Sequence, residues 1–414
     1  MLKLSERLLD GLLTNMVKNG ALSVVYPSGA MREYGEERAE VTFEIRDGRT
    51  LRGLLLDPSY QFGEAYANGD ITVTKGSVYD LIKILFRNVY RYKHAAGGKL
   101  MERFRKVLQS VDNANPIPRS IRNVRCHYDI DERLYRLFLD GDLQYSCGYF
   151  EHPEMSLEEA QKAKKRHIIA KLNIPDSGRV LDIGCGWGGL AISIAKAHPR
   201  ATVLGVTLSP RQFEVARNRV KDESLSNRVK FQLKDYRQLD ETFDRIISVG
   251  MFEHVGPRDY GVFFEKVRDL LSSEGMALLH TIGQAGRPRP TNPWIRKHIF
   301  PGGHIPALSE IISATDKADI IVGDVETLRL HYAETLRHWR HRFAENRDMA
   351  AHLYDEQFCR MWELYLAGSE ASFRYLDFVV FQIQLMKSVS AAPITRDYMQ
   401  SPAPSIEAGR AVAA

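Results

Sequence analysis

The residues best suited to chemistry in this chain lie in one short run, where the apolar segment Val180-Leu181-Asp182-Ile183 passes straight into Gly184-Cys185-Gly186-Trp187-Gly188-Gly189. Glycines at such a turn let the backbone approach a ligand closely and supply the positive φ the turn needs. An isolated glycine pattern matches many loops by chance, but here strand, turn and the helical stretch LAISIAKAH follow in the order a nucleotide-type site requires. A dinucleotide would call for an acidic residue about 20 residues on, at the end of the second strand. The second strand ends in Gly205-Val206-Thr207-Leu208-Ser209, with no acid. Glu253, His280 and Ile282 fall at the carboxyl ends of the predicted fourth and fifth strands, where open α/β sheets bind their ligands. His280 taken alone reads more readily as a structural histidine than as a ligand.

These positions depend on an alternation of apolar strand-like runs (GRVLDIG, ATVLGVTL, RVKFQL, FDRIISVG, GMALLHTIG) with helical stretches, the signature of an α/β fold with a mostly parallel sheet. Residues 284–306 interrupt it with five prolines, as a lid or binding loop would. Helical periodicity returns over 331–389. Ahead of this unit, Leu4, Leu8, Leu9, Leu12, Leu13 and Met16 predict an amphipathic helix, and VTFEI and TLRGLLL around Asp47-Gly48 predict a hairpin. The expected organisation is a smaller N-terminal α+β domain over 1–110 and a linker over 111–125, punctuated by Pro116 and Pro118. The larger domain follows over 126–392, with a disordered Ala/Pro/Ser-rich tail over 393–414.

The 414 residues carry 44% hydrophobic and 26% charged side chains, an ordinary globular composition that excludes a fibre or a disordered chain. No apolar run approaches the ~18–20 residues of a spanning helix, and the leucines at the N-terminus are broken by charges, unlike a secretory signal. Cys126, Cys147, Cys185 and Cys359 make neither a metal pattern nor a disulfide framework, so a cytoplasmic protein is expected. The formal charge of +5 is concentrated: residues 81–125 carry 11 Lys and Arg against 2 Asp and Glu. Lys83, Arg87, Arg91, Lys93, Lys99, Arg103, Arg105 and Lys106 alternate there with aromatic and aliphatic residues. A solvated basic helix pair accounts for such a run. No nucleic-acid reading module accompanies it, whereas an anionic bilayer surface suits it at about 1 kcal/mol per nearby cation.

The form D-x-G-C-G-x-G-G resembles the S-adenosylmethionine loop of class I (Rossmann-like) methyltransferases. From about residue 120 to 380 the chain resembles the cyclopropane-fatty-acyl-phospholipid synthases and mycolic acid cyclopropane synthases. The likeness is carried by QYSCGYF (144–150), VLDIGCGWGG (180–189), GVTLSPRQ (205–212), FDRIISVGMFEHVG (243–256), LLHTIG (278–283), IFPGGHIP (299–306) and HYAETLRHW (331–339). The N-terminal region resembles the extra domain of the bacterial phospholipid enzymes.

That resemblance implies a cofactor site formed by Tyr145, Ser146, Asp182, Gly184, Gly186, Thr207, Leu208, Gln212, Tyr236 and Arg237. It implies a bicarbonate ion held by Glu253, His280 and Tyr332 and by the backbone of Cys147 and Ile282. The implied reaction adds a methylene from S-adenosylmethionine across a cis double bond of an unsaturated phospholipid acyl chain, with bicarbonate removing a proton from a carbocation that Tyr149, Phe150, Phe252 and Tyr332 could stabilise. It also implies a protein peripheral at the inner membrane face, with the basic stretch on anionic lipid. A homodimer is expected only as the commonest assembly. Relatives making methylene- or methyl-branched chains, plant-type N-methyltransferases and an inactive lipid-binding homologue are the alternatives. One departure stands out: where the family commonly has Cys in the late helical segment, this chain has Ser369.

Overall fold

The computed structural model describes residues 2–93 and 131–400. The N-terminal part comprises α1 (Leu4–Met16), β1 (Leu22–Val25), β2 (Met31–Tyr34), β3 (Val41–Ile45), α2 (Gly48–Leu56), α3 (Pro58–Ala67), β4 (Ile71–Lys75) and α4 (Val78–Lys93). Its sheet has the order β2-β1-β3-β4, with β1 and β3 parallel. The amphipathic helix α1 forms as expected, burying Leu9 and Leu13 while Leu4 and Leu8 stay exposed. The hairpin does not. Asp47 is a helix N-cap, its side chain accepting from the Thr50 N–H at 2.8 Å, and TLRGLLL belongs to α2. An Asp-Gly pair suits a hairpin turn and a helix start alike, and here the cap prevails while β3 pairs with β1 and β4 instead.

The larger part begins with α5 (Glu132–Phe138) and α6 (Leu157–Leu172). It alternates β5 (Arg179–Ile183), α7 (Gly189–Ala197), β6 (Thr202–Thr207), α8 (Pro210–Asp222), β7 (Val229–Leu233), β8 (Phe243–Val249), α9 (Tyr260–Leu270) and β9 (Leu271–Gln284). There follow α10 (Pro293–His298), α11 (Leu308–Lys317), β10 (Ile321–Leu328), α12 (His331–Glu345), α13 (Arg347–Leu353), α14 (Glu356–Tyr375) and β11 (Phe378–Met386). The seven-stranded order is β10-β11-β9-β8-β5-β6-β7, parallel except for β11, which runs antiparallel to both neighbours. This is the mostly parallel, Rossmann-like sheet of class I methyltransferases. Val180 to Ile183 are buried throughout, as a central strand covered on both faces demands. The strand order reverses between β5 and β8, which opens a crevice at their carboxyl ends.

The two parts share one apolar core, in which Leu13, Leu51 and Ile71 are continuous with Tyr135, Trp339 and Trp362. Burial of this extent binds the parts by the same hydrophobic effect that folds each of them. Residues 397–399 form a 3-10 turn, with Met399 buried and the Tyr398 hydroxyl donating to Gln384 at 3.1 Å, so the tail is anchored to the sheet at least to that point rather than disordered from 393. The linker 111–125, most of the basic stretch including Arg103, Arg105 and Lys106, and residues 401–414 lie outside the described residues. Among the described residues no helix is long and apolar enough to cross a membrane.

Candidate active site

A cavity opens at the crevice, and all ten residues expected to bind a cofactor line it. The glycine loop is shaped by its backbone. Gly184 has φ +80°, and a Cβ there would lie 2.9 Å from Met251 Cβ, so only glycine fits without strain. Gly186, at φ +52°, faces open space. The Gly184 and Cys185 N–H groups both donate to the Val206 carbonyl, which ties the loop to β6. Thr207 donates to Gln212 at 3.0 Å, while Ser209 caps α8. Arg237 pairs with Asp235 at 2.7 Å and Tyr236 packs edge-on against Phe263, fixing the wall beyond β7.

The wall formed by residues 142–149 has neither helix nor strand, and polar side chains of α6 hold it. Gln161 donates to the Ser146 carbonyl at 2.9 Å, Lys165 pairs with Asp142 at 2.6 Å, and the Ala160 carbonyl accepts from the Tyr149 N–H at 2.9 Å. Lys164 Nζ donates to Gln144 Oε1 at 2.6 Å and to Ser146 Oγ at 2.8 Å. This lysine is fully buried, and burial pushes its ammonium down to about 8. Asp182 is buried with Oδ2 unpartnered, and desolvation pushes its carboxyl up to about 7 against the attraction of Lys164. Behind the lining, Tyr145 stacks on the buried Trp339 and shares a 2.7 Å hydroxyl hydrogen bond with the buried Tyr365.

None of the five residues expected to act on the reacting group lines this cavity, although their neighbours Ser146, Met251 and His254 do. Glu253 sits in a 3-10 turn after β8 and accepts the Ile282 N–H at 2.6 Å through Oε1. The Ile282 N–H, expected to face an anion, is therefore committed to Glu253. Glu253 Oε2 is buried without a partner, and burial raises the carboxyl to about 7, so that a neutral form able to donate a proton is populated near neutrality. His280, two residues before Ile282 on the same face of β9, lies 3.1 Å from the Gln382 amide nitrogen through Nδ1. Burial, with Lys164 adding to it, pushes its imidazole down to about 3 and keeps it neutral.

Next to Cys147, the Gly148 N–H donates to Thr335 Oγ1 at 2.9 Å, and Thr335 lies about one turn along α12 from Tyr332. Burial pushes the Cys147 thiol up, so it is no nucleophile. Phe252 is core, packed on Tyr260 and Phe263, and Tyr149 lies stacked between His167 and His331. Ser369 is half-buried on α14, away from the cavity lining.

Sequence reasoning missed Gln144, Gln161, Lys164 and His254, the last held well down, at about 4, by burial. The signal for the α6 residues was their spacing. Gln161, Lys164 and Lys165 fall on the same face as Leu157, Ala160 and Ile168, where a solvated charge run would have turned away.

A family model described as mycolic acid cyclopropane synthetase matches residues 117–383, and one described as a domain of unknown function matches 8–96. A probable fatty acid methyltransferase of Pseudomonas putida is 42% identical over 254 residues, covering 60% of this chain and 64% of its own length. A cyclopropane-fatty-acyl-phospholipid synthase of Escherichia coli is 40% identical over 263 residues, covering 64% and 67%. The matched stretch thus spans about two thirds of these two relatives. A tuberculostearic acid methyltransferase of Mycobacterium tuberculosis is 35% identical over 411 residues, 92% of both chains. A crystal structure of a mycolic acid cyclopropane synthase complexed with SAH and CTAB superposes with a TM-score of 0.61 at 33% identity, covering 64% of this chain and 98% of that one.

Proposed function

The chain belongs to the mycolic acid cyclopropane synthetase family, and from that footing we propose that it transfers a methylene from S-adenosylmethionine across a cis double bond of an unsaturated phospholipid acyl chain. The observation that carries this reading is the buried Glu253 carboxyl, joined to Ile282 and left with a free oxygen, at the carboxyl ends of β8 and β9 next to the glycine-loop cavity.

An alkene is a weak nucleophile with no acidic proton to remove beforehand, so alignment with the sulfonium methyl and exclusion of water have to supply the rate. Orientation alone is worth about 7–11 kcal/mol in well-aligned systems. The alkene π electrons form the new C–C bond as the methyl–sulfur bond breaks, which leaves neutral S-adenosylhomocysteine and a carbocation on the chain. Loss of a proton from the added methyl then lets that C–H pair close the ring.

The buried, unpartnered Glu253 Oε2 and the neutral His280 fit a small anion such as bicarbonate, which would supply the base for that proton. Glu253 in its neutral form would donate to the anion and Ile282 would orient Glu253. Tyr332, buried against Phe373 and Trp339, would close the apolar side. Tyr145, Ser146, Asp182, Thr207, Leu208, Gln212, Tyr236 and Arg237 would hold S-adenosylmethionine over Gly184 and Gly186.

The test is mass spectrometry and proton NMR of unsaturated phospholipid vesicles incubated with the full chain and S-adenosylmethionine, with and without bicarbonate. One added methylene with upfield ring protons supports the reading, and no change in the lipid overturns it. The 92% coverage shared with a tuberculostearic acid methyltransferase favours a second reading, a branched chain, which the same spectra distinguish by olefinic or methyl-doublet protons in place of ring protons.

Access to such a substrate would need a peripheral contact on the cytoplasmic membrane face, and the basic stretch 81–125 suits it. Reversing the charges of Arg103, Arg105 and Lys106 is expected to weaken flotation with anionic vesicles more at low than at high salt. Sedimentation of the same preparation tests the homodimer.

A further inference from the structure

The region matched by a domain of unknown function makes a contact that bears on the active site. Helix α3 packs on α10, the short helix in the middle of the 284–306 loop. An ideal Cβ on Gly63 would lie 2.5 Å from the Trp294 indole, so glycine at 63 is what lets this buried tryptophan seat on α3. Around that contact, Asn292 donates to the Ser59 carbonyl at 3.1 Å, Lys297 lies over the Tyr60 ring at 5.0 Å from its centroid, and His298 hydrogen-bonds Glu64. Contacts at Ser59, Tyr60, Gly63 and Glu64, about two turns of α3, therefore grip one six-residue helix.

Beyond α10 the loop runs to the backbone of Glu253. Phe300 packs between His254, at 6.0 Å, and Tyr365, at 5.7 Å, and the His304 N–H donates to the Glu253 carbonyl at 2.9 Å. At its base Gln284 closes the loop, its N–H bonding the Pro306 carbonyl at 2.8 Å and its side-chain amide the Ile305 carbonyl at 2.7 Å. The loop therefore has a base on β9 steadied by the Arg289–Asp377 ion pair, a far end on the Glu253 backbone and a middle, 292–298, whose seat is on the other domain. Without that seat the middle of this 23-residue connection would fluctuate and carry the Glu253 backbone with it.

We propose that the N-terminal domain clamps the 284–306 loop onto the active site, with Gly63 and Trp294 as positioning residues that fix Glu253 through His304. The inference rests on the reading of Glu253 given above, but its structural half stands apart from the reaction. α3 and α10 contribute nothing to the cofactor cavity, so the clamp governs turnover and leaves cofactor affinity alone.

The test uses the full chain with Gly63→Leu, Trp294→Ala and the two combined. Gly63→Leu is expected to lower kcat at least tenfold, to speed amide hydrogen exchange over 299–306 at least tenfold, and to leave S-adenosylhomocysteine affinity within twofold. Trp294→Ala alone, which empties the same seat from the side of the loop, is expected to speed that exchange and lower kcat likewise, and the double variant to lose no more than the worse of the two singles. A merely structural contact would lower thermal stability and cofactor affinity together with kcat. Unchanged exchange over 299–306, or faster exchange with kcat within twofold of the parent, overturns the clamp. Should Gly63→Leu fail to fold, Asn292→Ala combined with His298→Gln loosens the same seat from the surface and is read by the same criteria. If the parent shows no lipid methylation, the proposed reaction fails, while exchange over 252–254 and 299–306 still decides whether α3 holds the loop.

Discussion

The two halves of the site are built in different ways. The centre of the cofactor half is made by consecutive residues: β5, the glycine turn and the start of α7 occupy one stretch, and its shape follows from backbone angles such as the +80° φ of Gly184, while the 142–149 wall, Thr207, Gln212 and Tyr236 close around it. The Glu253 half is assembled from residues remote in sequence. Glu253 meets Ile282 across 29 residues, His280 meets Gln382 across 102, and the loop above them is seated on a helix near the N-terminus. The first half depends on local geometry, the second on buried groups whose charge state is set by what encloses them. Perturbations of the two should therefore separate affinity from turnover.

The sharpest break is Glu253→Gln. Turnover is expected to fall by roughly 10²–10⁴, the usual worth of a positioned acid or base, while calorimetric affinity for S-adenosylhomocysteine stays within twofold. The same variant carries a pH signature. Because burial raises Glu253 from an ordinary 4.5 to about 7, its neutral form is the favoured one in the fold, and the parent loses stability as pH rises from about 4.5 through 7. Glutamine has no proton to lose, so the melting temperature of Glu253→Gln relative to the parent should rise between pH 5 and pH 8. A constant difference would mean the carboxyl is not buried as described.

On the other side of the comparison, Gly184→Val forces a β-branched side chain into positive φ and into Met251, and should cost on the order of 100-fold in S-adenosylhomocysteine affinity, measured by the same calorimetry. Lys164→Met removes the two hydrogen bonds that hold Gln144 and Ser146. About a tenfold loss of affinity is expected, in line with hydrogen bonds from a charged donor. The smallest effect belongs to Ser369→Ala, whose kcat should stay within twofold of the parent. A larger loss would return the late helix to the chemistry.

How far the site could be read in advance follows the same division. The glycine turn was legible because strand, turn and helix succeed one another locally, whereas Thr207, Gln212 and Tyr236 were reached only through the family resemblance; Gly184, Gly186 and these three line the cavity. Lys164 was not, since a lysine in AQKAKKRH has the composition of a solvated face and only the packing of α6 against residues 142–149 turns it inward. Asp47-Gly48 misled for a related reason: the dipeptide serves a hairpin and a helix cap equally, and the pairing of β3 with β1 and β4 decides between them.

By itself the sequence determined the alternating sheet, the glycine turn and the residue types at the strand ends, because period and backbone conformation are properties of neighbours along the chain. Only the tertiary structure decided that the Ile282 N–H serves Glu253, that Lys164 lies beneath Ser146 and that Gly63 receives Trp294. Hydrogen bonding and desolvation act between groups brought together in space, and for these groups that proximity exists only in the folded chain.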